Sequence, residues 1–340
     1  MTTKIKQQRI GWVDTLRGIA IFFVLIAHQN LAFPLYRQCY MPFFMPVFFF
    51  VSGYLFKYKG IKENIKRIAR TLLWPYVIFS YISKCATIAF IRNIQAGTAI
   101  NYLGKVTNEL LFGDTFWFIA CLIVVQIAYT FLSAFFNKAN NSWKKVVAVV
   151  GVLFIYIISR EETAYLPWHI DTACYAMGIF AIGDLFKSVD IYRIANNKQW
   201  RIVSWCILAM YIATTLIFNW DKFNISIDMN CNIYHNTTIC LFFIAFGCVS
   251  VILFSICNNC GRFISDLGKN TLVIYCLHAS IGFGLSTRLL HLIGIDSLSL
   301  SPYIQSLLIA ILTGIIMLIA SHIINKYFPF LLGKTNKQTV

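Results

Sequence analysis

The chain has 340 residues, 59% of them hydrophobic and only 12% charged, with 29 Lys and Arg against 13 Asp and Glu. A water-soluble domain carries about 25% charged residues, so this density excludes a fully hydrated surface and makes the bilayer the solvent for most of the chain. The net charge of +16 would suggest nucleic acid on a soluble protein, but these cations sit in short segments between apolar runs, where membrane insertion places them, and no nucleic-acid partner is expected.

About twenty apolar residues cross the hydrocarbon core. The sequence accordingly predicts an all-α, polytopic helix bundle of about ten spans: 10–31, 40–56, 71–91, 115–136, 146–160, 166–186, 202–219, 237–256, 271–291 and 303–325. The fifth is short. The second contains Pro42 and Pro46, which kink or break a helix unless neighbours satisfy the freed carbonyls. The first run is long enough to span, carries Asp14 and Arg17 and lacks a small-residue cleavage site, so it reads as a span and not a leader.

Basic residues orient the bundle. With both termini in the cytoplasm, six of the 29 Lys and Arg fall on outer segments (Arg37, Arg92, Lys105, Arg160, Lys222, Arg288) and two within spans (Arg17, Lys84). All the others fall on inner segments, among them Lys4, Lys6, Arg9, Lys138 and Lys337. The bias holds loop after loop, and missing one helix would scramble it. Residues 1–340 read as a single transmembrane domain with no separate soluble domain, internal repeat or heptad run. The longest loops expected are the outer ones around 92–114 and 219–236, so a site must lie within the bundle or at its rims. Sequons at Asn224 and Asn236 fall on outer loops and matter only in a secretory pathway. The eleven cysteines lack framework spacing, and Cys257-Asn-Asn-Cys260 is a lone CxxC; no metal site is expected.

Charges inside a span are costly unless paired or hydrated, and so mark functional candidates. In the first span, at about 100° per residue, Arg17 and His28 lie within about 20° of one face, and Asp14 is one turn from Arg17. That face carries an Asp/Arg pair near the cytoplasm and an imidazole about 16 Å further out. An interfacial ion pair with a snorkelling guanidinium and a structural histidine would give the same pattern. The inner segment Lys57 to Arg70 holds six basic residues and one Glu. Arg67 and Arg70, three apart, suit a phosphate gripped between two guanidinium groups, although a loop contacting anionic headgroups looks the same. Ser52-Gly53 in an aromatic run reads as close helix packing. His278 in the ninth span, Lys84, Asp171 and Asp184 remain candidates for lining a polar cavity. There is no Walker loop, GxSxG elbow or HExxH, so ATP-driven transport, serine-hydrolase chemistry and zinc proteolysis lack support.

The run Asp14-x-x-Arg17-Gly18, with His28 ten residues beyond Arg17's neighbour, resembles the membrane acyltransferase 3 family, in particular its fucose 4-O-acetylase-like branch of sugar acetyltransferases. Further matches, in the family's order, are MPFFMPVFFFVSGYLF, Arg67-x-x-Arg70 followed by LLWPY, FWFIACL at 116–122 and LGKNTLVIYCLH at 267–278. The resemblance implies an integral membrane O-acyltransferase. It would take an acyl group, commonly acetyl, from cytoplasmic acyl-CoA and place it on a hydroxyl of an exported or cell-envelope carbohydrate or lipid-linked glycan. It implies His28 as the catalytic histidine and general base, with Arg17, partnered by Asp14, along the donor path. Arg67 and Arg70 would contact the CoA phosphates, and Ser52, His278 and Lys84 are cavity candidates. Acetyl-CoA is then a donor substrate and no cofactor is permanently bound. The membrane implied is a bacterial inner membrane. Two other classes stand beside this reading: a secondary transporter or flippase for a sugar or lipid-linked substrate, which would use buried charges as a pathway, and a scaffold, which leaves Arg17 and His28 unexplained. Transporters of that kind show interrupted helices in both halves, and here only the early prolines announce one.

Overall fold

The structure is a computed structural model that describes residues 10–29, 34–90, 96–136, 141–159, 166–294 and 301–334. Lys4, Lys6, Arg9, Arg92, Lys138, Arg160 and Lys337, used above for orientation, lie outside the described residues, as do both termini.

The described chain is almost wholly helical. In order it runs α1 Gly11–Ala27, α2 Pro34–Tyr40, α3 Pro46–Tyr54, α4 Ile61–Ile68, α5 Trp74–Phe90, α6 Ala96–Phe112, α7 Trp117–Phe135, α8 Ser142–Leu153, α9 Ile155–Ile158 and α10 Ile170–Leu185. It continues with α11 Ile191–Ala195, α12 Lys198–Ile217, the strands β1 Ser226–Asp228 and β2 Ile233–His235, then α13 Thr237–Cys257, α14 Gly261–Lys269, α15 Thr271–Leu277, α16 Phe283–Leu292 and α17 Pro302–Tyr327. Among the described residues, five stretches are long and apolar enough to cross a membrane: Gly104–Phe135, Lys198–Ile217, Thr237–Cys257, Thr271–Leu292 and Pro302–Tyr327. Outward-facing side chains of α8 and α12, such as Val146, Val149, Ile202, Trp205 and Ile217, are apolar and exposed, as on helices solvated by hydrocarbon. The chain is an all-α, multi-pass integral membrane protein.

Local chemistry explains the departures from the expected spans. The second is not one helix: α2 ends at Tyr40, turns occupy 41–45 and α3 restarts at Pro46, because proline cannot donate inside a helix but suits its first turn. The expected outer loop 92–114 contains α6, in which Lys105 and Glu109 stand one turn apart. The other long loop forms a hairpin in which Ser226 pairs with His235 and Asp228 with Ile233; Asn224 and Asn236 beside it both take positive φ. The ninth span is interrupted by a π-helical turn, His278–Gly282, so the late half has an interruption after all. A second π turn, Ala69–Leu73, joins α4 to α5.

Two backbone crossings position the interior. At the first, α1 lies against α14: a Cβ on Gly18 would come within 1.9 Å of the Ile264 carbonyl oxygen, and one on Gly268 within 1.8 Å of the Asp14 carbonyl oxygen. At the second, α3 lies against α10 through Gly53, whose Cβ would meet the Phe180 carbonyl oxygen at 1.9 Å, and Gly183, whose Cβ would meet that of Phe50 at 2.0 Å. Small residues let backbones approach where lipid offers no hydrophobic drive between helices. The Ser52-Gly53 pair is thus a packing element at Gly53, and α1, α3, α10 and α14 become one tightly joined unit.

Candidate functional site

The α1–α14 crossing delivers Arg17 to Thr271, at the start of α15, whose hydroxyl oxygen accepts a hydrogen bond from the guanidinium. Asp14, one turn earlier on α1, is 8% exposed. Both residues line or adjoin the interior and not the bilayer, which is how intramembrane charge is retained.

Around Arg17 two cavities meet. The inner one, about 340 Å³, is walled by Ile21, Phe48, Val51, Phe118, Ile119 and Leu122, with Ser52, Gln126, Thr271 and Tyr275 as its polar lining. The outer one is a mouth of about 780 Å³ at the lysine-rich end, lined by Arg17, Lys57, Lys59, Lys66, Arg67, Arg70, Lys269 and Lys334, with Glu63 as its single carboxylate. Arg17, Leu55, Arg67, Thr71 and Leu272 belong to both, so the mouth narrows directly into the apolar chamber. Arg67 leans over the Phe56 ring at 5.7 Å, and burial pulls its guanidinium below its ordinary pKa, a desolvation cost that a bound anion would relieve. The amphipathic α4 and the π turn after it place Arg67 and Arg70 on the same mouth.

His28 caps α1 at the opposite end. It is exposed, and its Nδ1 donates to the Val24 carbonyl at 2.9 Å, which leaves Nε2 with its lone pair. The His278 ring lies 4.8 Å from it at 82°. Tyr275, which lines the inner cavity, stands 6.3 Å from His278, and its hydroxyl oxygen accepts a hydrogen bond from the Phe118 backbone N–H at 3.4 Å. A route of side chains therefore runs from the basic mouth through Arg17 and Tyr275 and, by ring contacts, on to the two histidines, neither of which lines the cavity itself.

Of the sequence candidates, Arg17, Ser52, Arg67 and Arg70 line this route, and His28 and His278 meet at its far end. The Ser52 hydroxyl donates to the Phe48 carbonyl at 2.7 Å. Lys84 lines neither cavity: it pairs with Glu109 of α6 at 2.8 Å. Asp171 accepts from the Thr172 backbone N–H at 3.0 Å, at the start of α10. Asp184 sits near the lysine-rich end, joined to Lys144 at 2.8 Å, to Tyr129 at 2.9 Å and to Lys187. Burial lowers the Lys187 pKa, and Asp184 opposes that shift. Sequence reasoning missed Thr271, Tyr275, Gln126, Lys269 and Lys334. Thr271 and Tyr275 lie inside the LGKNTLVIYCLH segment, and Gly268 in the same segment is the contact that brings them to Arg17. Among the described residues no group of His, Cys, Asp and Glu is gathered closely enough to hold a metal ion.

Compared with known families, residues 10–326 match the model described as an acyltransferase domain, that of the acyltransferase 3 family. Comparison with curated proteins and with solved structures gave no match.

Proposed function

The chain belongs to the acyltransferase 3 family, and from that premise we propose that it moves a short acyl group, acetyl first, from acyl-CoA onto a carbohydrate hydroxyl. The donor arrives from the cytoplasm at the lysine-rich mouth and the acceptor from the other side. The observation that carries this reading is the pair of joined cavities, a cationic mouth opening into a narrow apolar chamber whose Tyr275 is followed by the rings of His278 and then His28. Coenzyme A has the same asymmetry, with phosphates at one end and a slender thioester arm at the other. Arg67 and Arg70 bind the phosphates as charge-assisted partners, while the arm lies between Phe48, Phe118 and Leu122.

A sugar hydroxyl is a poor nucleophile until a base takes its proton in the transition state, and neutral imidazole suits that task near pH 7. The Val24 carbonyl fixes the His28 tautomer with Nε2 as the base. The thioester oxygen, as it gains charge, needs a donor in a site shielded from water; Arg17, steadied by Thr271, is the cation on the donor path. The protein's place is a bacterial inner membrane in this reading, and its acceptor an exported or lipid-linked glycan.

The test is acetyl-CoA consumption by purified protein with a panel of monosaccharides, wild type beside His28→Ala. Acceptor-dependent CoA release that is lost in the variant supports the reading. Failure of the wild type to consume acetyl-CoA, together with no change in its thermal stability on adding CoA, would instead favour a transporter or flippase.

A further inference from the structure

We propose that His278 is a positioning residue for His28: its Nε2 accepts a hydrogen bond from the imidazolium that forms when His28 takes the acceptor's proton. The inference rests on the acyl-transfer reading above and adds a second imidazole to that site.

His278 is 4% exposed. Its Nδ1 donates to the carbonyls of Ile274 and Tyr275, at 3.0 Å and 2.9 Å, so the lone pair is at Nε2. That atom is buried and has no hydrogen-bond partner. Burying an acceptor without a donor is unfavourable, and such an atom in a native interior calls for a reason. The nearest titratable ring is His28, 4.8 Å away and perpendicular, a spacing across which a ring-to-ring hydrogen bond of about 3 Å forms with a small turn. His28 is the ring with room to make that turn, being exposed at the end of α1, whereas His278 is held by two carbonyls.

His28 also lacks the partner that such a base usually has. A carboxylate on Nδ1 ordinarily sets the tautomer and stabilises the imidazolium. Here a neutral backbone carbonyl sets the tautomer, and among the described residues no carboxylate forms an ion pair with His28. The charge that develops on the ring needs another acceptor, and the orphaned Nε2 of His278 is beside it. His278 heads the π-helical turn His278–Gly282, a distortion frequent at functional sites.

The step balances without a further reactant. The acceptor's O–H bond breaks as its oxygen bonds to the thioester carbon, and the proton passes to His28 Nε2, where His278 Nε2 shares it. The C–S bond then breaks, sulfur keeps the electron pair, and the proton goes from His28 to the thiolate. Both rings end neutral.

Three substitutions separate this role from a structural one. His278→Gln keeps an acceptor near the Nε2 position, His278→Asn keeps only a donor near Nδ1, and His278→Leu keeps neither. The expected result is kcat within about tenfold of wild type for Gln and about 100-fold lower for Asn and Leu, with KM for acetyl-CoA unchanged. Each is measured in protein that CoA still stabilises thermally; should Asn misfold, Leu supplies the same arm. Near-wild-type kcat in Asn or Leu, or equal loss in Gln and Asn, would overturn the proposal. Wild-type activity that vanishes in His28→Ala, alongside an unimpaired His278→Asn, would remove this role and leave acyl transfer standing. A wild type that consumes no acetyl-CoA would remove both.

Discussion

The two ends of the route use charge differently. At the mouth, eight basic side chains face one carboxylate, and several of them can each attract the same anionic donor. At the far end two histidines meet, and the proposed chemistry needs one particular lone pair. Redundant charge gives graded responses to mutation, because neighbouring cations share the load. A single base gives an all-or-none response. Binding and chemistry in this protein should therefore fail in different ways.

The largest effect is expected at His28. His28→Ala should lower kcat by about 10²–10⁴-fold, with little change in KM for acetyl-CoA; a KM change at constant kcat would erase the contrast between the ends. Next comes Asp184, which shows that not every charge near the mouth serves the donor. Asp184→Asn removes the anion shared by Lys144 and Lys187 and should cost about 3 kcal/mol of stability, the low end for breaking a buried ion pair because both lysines are part-exposed. A thermal melt in detergent reads this directly, and the CoA site should survive in the folded fraction. Replacing Arg67 and Arg70 together by Ala should raise KM for acetyl-CoA by about 10–50-fold at unchanged kcat, the pair together costing about one charge-assisted bond because the remaining cations of the mouth share the load. Either single variant should show much less, and added salt should raise KM more in wild type than in the double variant. The smallest effect is expected at Lys84: Lys84→Met breaks a part-exposed pair with Glu109, and both kinetic constants should stay within about twofold.

Much of this organisation was legible in the sequence, and the remainder was not for definable reasons. The Asp14, Arg17 and His28 pattern was readable because it lies within one helix, where spacing alone sets the face. Arg67 and Arg70 were readable for the same reason, being three apart. The His28–His278 contact was not, since it joins helices from opposite ends of the chain, and a lone histidine in an apolar run signals nothing about its neighbour. The Thr271 partner of Arg17 depends on Gly18 and Gly268 passing backbone to backbone, and small residues in membrane helices are too common to announce one contact. Helix α6 was missed because Lys105 and Glu109 made its segment look like a loop, although on a helix they share a face. Lys84 was misleading: a charge within an apolar run suggested a polar cavity, but α6 supplies its counter-ion.

The central claim is that donor and acceptor reach His28 from opposite ends, and sidedness tests it most directly. The protein would be reconstituted into vesicles in one orientation, with radiolabelled acetyl-CoA supplied only at the lysine-rich face and a monosaccharide panel placed in one compartment at a time. The account predicts acylated sugar only when the panel occupies the compartment opposite the donor, and none in His28→Ala vesicles. Acylation only when sugar and acetyl-CoA share the lysine-rich side would contradict it.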